Sequence, residues 1–355
     1  MVDYMEPSKS LSDTRVTLAA AWLLLLVLLT VILQTLSFLF IPLCFAILAC
    51  YAMGIPMDYL KRFKIPKFIR IILIIAVVMG LIFMLGKLVT VNVRQFQAQL
   101  PGYEEKFWEY SANILAHFDI SQEQGKEMID SFLSNFKQKR ISSLGGIVQS
   151  VSGSFFSFMG NLMWVLLFMV FILAEREAFT KRLVNRLGQE RSAPILDSMD
   201  NINDAIQQYL GLKTLISLLI GVMVTVVLWL LGIDFALLWG TLVFILNFIP
   251  TIGSIVATVP PIAITLFQYG SISKTLLVAA LLIAMQVAVG NILEPKVMGR
   301  GLNLSPLVVL LSLIFWGWVW GIPGMLLSVP LTAALRIAME QIDSTRTTAA
   351  LISSQ

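Results

Sequence analysis

Charge is what this sequence has least of: Lys, Arg, Asp and Glu make up 13% of its 355 residues, while 58% are hydrophobic. A soluble domain carries about 25% charged residues, and a compact body of this size needs them on its outside. The shortage excludes a soluble globular protein. The apolar residues fall into unbroken runs and the mean hydropathy is +0.86, so the solvent for most of the chain is lipid. Histidine is nearly absent. The single His117 cannot build a metal site alone, and in its polar amphipathic stretch it reads as a solvated helix residue. Cys44 and Cys50 share one apolar run six residues apart, which turns them to different helix faces. They read as packed thiols, not as a disulfide or metal pair.

Catalytic motifs are missing too. No Gly-x-x-x-x-Gly-Lys-Ser/Thr loop is present, which argues against direct ATP driving. No His-Glu-x-x-His or Gly-x-Ser-x-Gly occurs, so neither enzyme chemistry nor a cofactor is expected. The net charge of +4 would need a clustered basic face to serve a nucleic acid. The basic residues instead occupy short segments between apolar runs, the pattern of cytoplasmic loops.

What is present is a series of spans. Val16–Leu33 and Leu36–Met53 are each long enough to cross a bilayer core. The short Gln34-Thr35 connection reads as a helical hairpin, with a kink at Pro42. Lys61, Arg62, Lys64, Lys67 and Arg70 face one acid, Asp58, and place segment 54–70 in the cytoplasm. The third run, Ile71–Thr90, returns the chain to the outer face. Residues 91–150 are the one sizeable polar region. Phe96, Leu100, Tyr103, Phe107, Ile114 and Phe118 recur there at helical spacing, and a Ser121-x-x-Gln124 box opens a second amphipathic helix. Ser142, Ser143, Gly145 and Gly146 then loosen the chain. A fourth span at 155–174 leads to a second basic segment, Arg176 to Arg191. Pro194 opens an amphipathic helix carrying Ile195, Met199, Ile202, Ile206 and Tyr209, which runs through Lys213 into a fifth span at 212–231.

From 212 to 293 the only charges are Lys213, Asp234 and Lys274. The apolar stretch 235–267 would make a helix of about 50 Å, too long for one ordinary span. It is interrupted by Asn247-Phe-Ile-Pro250-Thr-Ile-Gly253-Ser254, where proline removes a backbone bond and glycine adds freedom. Two readings stay open: a re-entrant hairpin, or a Pro-kinked pair of ordinary helices joined by a tight turn. Charge favours a chain that goes in and returns, because Lys296, Arg300, Arg336 and Arg346 then fall inside.

A second discontinuity follows the run 275–293, at Gly290-Asn291-Ile-Leu-Glu294-Pro295-Lys-Val-Met-Gly-Arg300-Gly301. Proline biases Glu294 away from helix and exposes neighbouring carbonyls. Ser305-Pro306 restarts a helix, and Gly321-Ile-Pro-Gly324 joins the last two runs, 307–320 and 325–339. An acidic residue at membrane depth is costly and marks a transport path; the alternative is an interfacial carboxylate paired with Lys296 or Arg300. Asn247 and Asn291 can hydrogen-bond a hydroxylated solute, and they can equally tie helices together. The candidate pathway residues are therefore Glu294, Asn247, Asn291, Pro250, Gly253, Pro295, Lys213 and Arg300.

The fold expected is an all-α polytopic membrane protein of about seven to nine hydrophobic helices with a small helical extramembrane subdomain. It divides into an N-terminal hairpin and third span (1–90), an extracytoplasmic subdomain (91–150), a fourth span with cytoplasmic amphipathic helices (151–211), a transport core with broken helices (212–340) and a polar tail (341–355). Both termini are expected in the cytoplasm.

Tyr209-Leu-Gly-Leu-Lys213, Asn247-Phe-Ile-Pro-Thr-Ile-Gly-Ser254, Pro260-Pro261 and Gly290–Gly301, continuing through 307–330, resemble the autoinducer-2 exporter family of bacterial inner-membrane transport proteins. The resemblance implies a multi-pass helical exporter of the quorum-sensing signal autoinducer-2, and an oligomer, with a pentamer as the form to test. Other members of the family are linked to sodium/proton exchange, so a cation/proton antiporter is the alternative; Glu294 is the residue expected to carry any proton or sodium coupling. A non-transport membrane scaffold that meets an external partner through 91–150 is the rival class.

Overall fold

The computed structural model describes residues 8–54, 59–60, 62–117, 144–298 and 304–340. Among them the chain is helical and has no β-strand. The helices are α1 (Ser8–Thr35), α2 (Ser37–Ala52), α3 (Lys67–His117), α4 (Leu144–Leu230), α5 (Ala236–Leu246), α6 (Ile252–Tyr269) and α7 (Ile272–Val287). A π-helical segment, Ala288–Leu293, then joins α7 to α8 (Glu294–Met298), and α9 covers Pro306–Glu340. Glycine breaks two of these at positive φ, which it adopts without a Cβ penalty. Gly188 (φ 76°, ψ 164°) divides α4, and Gly321 (φ 64°, ψ −141°) divides α9.

Among the described residues five helices are long and apolar enough to cross a membrane: Val16–Thr35, Ala178–Leu230, Ile252–Tyr269, Ile272–Val297 and Pro306–Glu340. Their outward residues are apolar, as lipid requires; Trp22 through Leu29 of α1, for example, are all exposed. This is an all-α polytopic membrane protein.

The core follows the second half of α4. Ile216, Ile220, Val224 and Leu228 recur every fourth residue and are buried against Trp239, Val243, Ala257, Ile264, Val278 and Leu282. A second cluster joins Ala46 and Cys50 of α2 to Ile74, Met169 and Leu173. Neither cysteine is in a disulfide, and the Cys50 thiol donates to the Met169 carbonyl at 3.8 Å. A third gathers Val319, Trp320 and Leu327 against Leu33, Phe40 and Phe45, and the Trp320 indole donates to the Leu33 carbonyl at 2.9 Å.

Several sequence expectations change. α1 and α2 do not fold back as a hairpin. Leu36 alone joins them, its N–H bonded to the Ile32 carbonyl and its carbonyl accepting from Phe40, so the helix bends and continues. The third span and the first amphipathic stretch are one helix of 51 residues, so no break occurs at 91. Gly145 and Gly146 are helical, inside the first turn of α4. The amphipathic helix at 195–209 starts after Gly188, with Pro194 in its first turns. The Ser121 box, Arg300 and both terminal segments lie outside the described residues.

Segment 235–267 goes in and returns. The two ends of the hairpin are tied together: the Asp234 N–H donates to Gln268 Oε1 at 3.0 Å, and Gln268 Nε2 donates to the Gly232 carbonyl at 2.9 Å. The Tyr269 hydroxyl donates to that same carbonyl at 2.8 Å. The descending arm, α5, has 11 residues, a reach of about 16 Å, roughly half a hydrocarbon core. The returning arm, α6, has 18, about 27 Å. The two arms make an asymmetric hairpin, one shorter than an ordinary span and one of span length.

Pro295 does not break the helix. Glu294 keeps helical dihedrals (φ −58°, ψ −49°), and its N–H bonds to the Val289 carbonyl five residues back. In an α-helix the ring of Pro295 would strike the carbonyl of residue 291. The wider π-turn makes room for it, so the expected backbone break becomes a bulge. The Ser305 restart is as expected, with its hydroxyl accepting from the Val308 N–H at 3.3 Å.

Candidate functional site

The hairpin lies on α4 because glycine lets the backbones meet. A Cβ on Gly221 would sit 2.8 Å from the Gly240 carbonyl oxygen and 3.0 Å from Phe244 Cβ. A Cβ on Gly240 would overlap the Thr225 hydroxyl. Small residues at a membrane crossing let helices approach closely, where dispersion replaces a hydrophobic drive. At the tip, a Cβ on Gly253 would overlap the Leu246 carbonyl, while Pro250 fills the turn and Thr251 sits at φ 60°.

On the α4 face that meets this tip, polar groups recur every four residues. Lys213 Nζ lies 2.5 Å from Glu294 Oε1. Lys213 is 3% exposed, and the Glu294 side chain keeps 23% exposure. Bringing two charges out of water costs several kcal/mol each, and their attraction offsets this only in close geometry. One turn on, Ser217 Oγ accepts from Asn247 Nδ2 at 2.9 Å, with both residues buried. A buried amide without such a partner costs about 1–3 kcal/mol. One turn earlier, Tyr209 lies within Coulombic range of the Glu294 carboxylate. Tyr209, Lys213 and Ser217 thus form a polar seam, with the hairpin tip docked at one level and α8 at the next.

The depth of the seam follows from helix rise. Trp229 is 72% exposed at the end of α4, and Tyr269 stands at the hairpin base with Lys274 Nζ 3.2 Å from its ring centroid. Trp and Tyr favour the membrane–water boundary. Measured from Trp229, Ser217 lies about 18 Å in and Lys213 about 24 Å in. Along α4 the ion pair therefore lies one turn farther from the hairpin base than the Asn247–Ser217 contact.

The hairpin base has its own anchor. Tyr103 of α3 donates to Asp234 Oδ2 at 2.6 Å, and Phe96 packs edge-to-face on Phe235 and Trp239 at 5.7 and 6.2 Å. Burial pushes the Tyr103 hydroxyl above the ordinary tyrosine range, and the Asp234 carboxylate it bonds raises it further. The polar half of α3 is thereby fixed to the base of the hairpin.

The structure thus brings together Lys213, Glu294, Asn247, Pro250 and Gly253. Glu294 pairs with Lys213 rather than with Lys296, and Pro295 is an exposed neighbour of the pair. Asn291 is exposed and lines a separate cavity between α6 and the end of α7. Ser217 and Gln286 carry no role in the sequence reading, and Tyr103 figures there only in an apolar stripe, without its bond to Asp234. Only the four-residue step from Lys213 to Ser217 is a signal. Among the described residues no group of three His, Cys, Asp or Glu side chains could hold a metal ion.

A family model described as AI-2E family transporter matches residues 20–344. The AI-2 transport protein TqsA of Escherichia coli is 33% identical over 321 residues, 88% of this chain and 89% of its own. A protein of Haemophilus influenzae, named only for transport, is 34% identical over 299 residues, 81% of this chain and 82% of its own. A Borreliella burgdorferi protein, also named only for transport, is 30% identical over 305 residues, 85% of this chain and 81% of its own. With the family model spanning nearly the whole chain, this protein belongs to the AI-2E family of membrane transporters.

Proposed function

We propose that the chain exports a small polar solute, the signal autoinducer-2 in the first place, across the bacterial inner membrane, without catalysing a reaction on it. The observation that carries this reading is the pair of adjacent contacts Asn247–Ser217 and Lys213–Glu294 at the hairpin tip. A scaffold gains nothing from a buried ion pair beside a turn held inside lipid. In a transporter, polar contacts of this kind are places where a path opens and closes. Irregular backbone at membrane depth suits a cavity-lining position, and short broken helices are recurrent binding elements in transporters. The TqsA relative, named for AI-2 transport, supports the choice of solute. The basic segments at 54–70 and 176–191 support cytoplasmic termini. A homo-oligomer, with a pentamer as the form to test, is part of the reading.

A second reading rests on Glu294 itself. The Glu294 side chain keeps 23% exposure beside a lysine that is buried, so it is the member of the pair that solvent reaches. That favours proton or sodium coupling, as a cation/proton antiporter or as the drive for solute export. Flux in proteoliposomes separates the two: labelled autoinducer-2 moving without sodium/proton exchange supports solute export. Exchange without signal flux supports the antiporter and rejects autoinducer-2 as the substrate.

A further inference from the structure

We propose that the cavity between α6 and the π-bulged end of α7 is a binding site for a small, uncharged, polyhydroxylated solute. The inference deepens the transport reading and rests on it. The cavity has a volume of about 370 Å³ and opens on the side of the bundle. No charged residue lines it. Its polar groups are Ser254 and Thr258 on α6, with Gln286 and Asn291 opposite, between aliphatic walls that include Val259 and Ile283.

The polar groups divide by role. Ser254 Oγ donates to the Thr251 carbonyl at 2.9 Å, and Thr258 Oγ1 donates to the Ser254 carbonyl at 2.6 Å. Their protons are used, so each oxygen offers lone pairs alone. Gln286 is the converse. Its Nε2 is buried and has no hydrogen-bond partner among the described residues, although such a donor costs about 1–3 kcal/mol when unsatisfied. A hydroxyl group donates and accepts at once, so it can give its proton to Ser254 or Thr258 and accept from Gln286 once that amide turns from its buried position into the cavity. A vicinal pair of hydroxyls can do both with neighbouring atoms, its carbon face on Val259 and Ile283.

Gln286 stands on the last turn of α7 and Asn291 on the π-helical segment that follows it, and both line the cavity. The wide turn that accommodates Pro295 thus adds an amide to the cavity. It also brings the cavity within three residues of Glu294, so occupancy and the ion pair share one helical turn.

Binding to the purified full-length protein tests the assignment, with labelled erythritol and labelled autoinducer-2 as probes. Wild type is expected to bind at least one probe saturably. Gln286→Leu is expected to weaken binding tenfold or more while its melting temperature holds or rises, because the orphaned donor is gone. Val259→Trp, which fills the cavity, is expected to abolish binding. Unchanged affinity in Gln286→Leu, no saturable binding by wild type, or displacement by added phospholipid but not by excess erythritol overturns the site. Binding that behaves as expected beside proteoliposomes that move no solute overturns the transport reading and leaves the site standing. Solute flux with unchanged Gln286→Leu affinity does the reverse.

Discussion

Lys213 and Glu294 stand 81 residues apart in the chain and 2.5 Å apart in the structure. The contact closes a loop through the whole hairpin. Helix α4 carries the lysine, the chain then descends and returns through α5 and α6, and α7 delivers the glutamate back to the same face. The pair lies one turn of α4 from the Asn247–Ser217 contact at the hairpin tip.

The first prediction concerns its energetics. Lys213→Met and Glu294→Met are each expected to destabilise the protein by about 3–5 kcal/mol, because each strands a charge. The double variant is expected to be far more stable than the sum of the two. Unfolding midpoints in detergent for the four proteins of the cycle give the coupling directly; additive losses would mean that the pair contributes nothing.

Pinning of the tip is open to a similar test. Ser217→Ala removes the acceptor of the Asn247 amide and is expected to cost about 1–3 kcal/mol. Hydrogen exchange should quicken at 247–253 and stay unchanged at the hairpin base, where Gln268 and Tyr269 hold Gly232. Equal acceleration at both ends would show that the hairpin moves as one rigid piece.

Glycine positions give a contrast within one protein. Gly253→Ala forces a methyl onto the Leu246 carbonyl and is expected to lose about 1–3 kcal/mol through overpacking. Gly80→Ala places its methyl in open space and is expected to gain about 0.5–1 kcal/mol from helix propensity. Melting temperatures of the two variants should move in opposite directions.

Tyr103→Phe is expected to loosen the polar half of α3 from the hairpin, at a cost of about 1.5–3 kcal/mol for a hydrogen bond to a carboxylate. Limited proteolysis within 91–117 should become faster. The hydroxyl's raised pKa sets the sign of the pH effect. The contribution is full below the unfolded tyrosine value of about 10 and falls as pH rises above it. Alkaline destabilisation should therefore shrink in Tyr103→Phe.

Features that repeat along one segment were legible in the sequence. Lipid-facing runs declare themselves by length, and the tip of the hairpin by Pro250 and Gly253, since no other common residues do their backbone work there. The partner of Glu294 was not legible. Lys296 and Arg300 are nearer in sequence, and nothing local states that α7 returns to Lys213. Pro295 was read as a helix stop because proline usually is one. The π-turn that absorbs it has no residue preference strong enough to announce it. Leu36 misled for the opposite reason: two span-length runs beside a polar Gln34-Thr35 pair look like a hairpin, while the backbone bonds of Leu36 carry the helix on through a bend.

The most direct test of a transport path at the hairpin tip is efflux of labelled autoinducer-2 from proteoliposomes, with wild type, Glu294→Gln and protein-free vesicles compared with and without a pH gradient. The expected result is saturable efflux by wild type that responds to the gradient, and efflux by Glu294→Gln that is slower and indifferent to it while the variant stays folded. Efflux from wild-type vesicles no faster than from protein-free ones, or a Glu294→Gln profile identical to wild type, would contradict it.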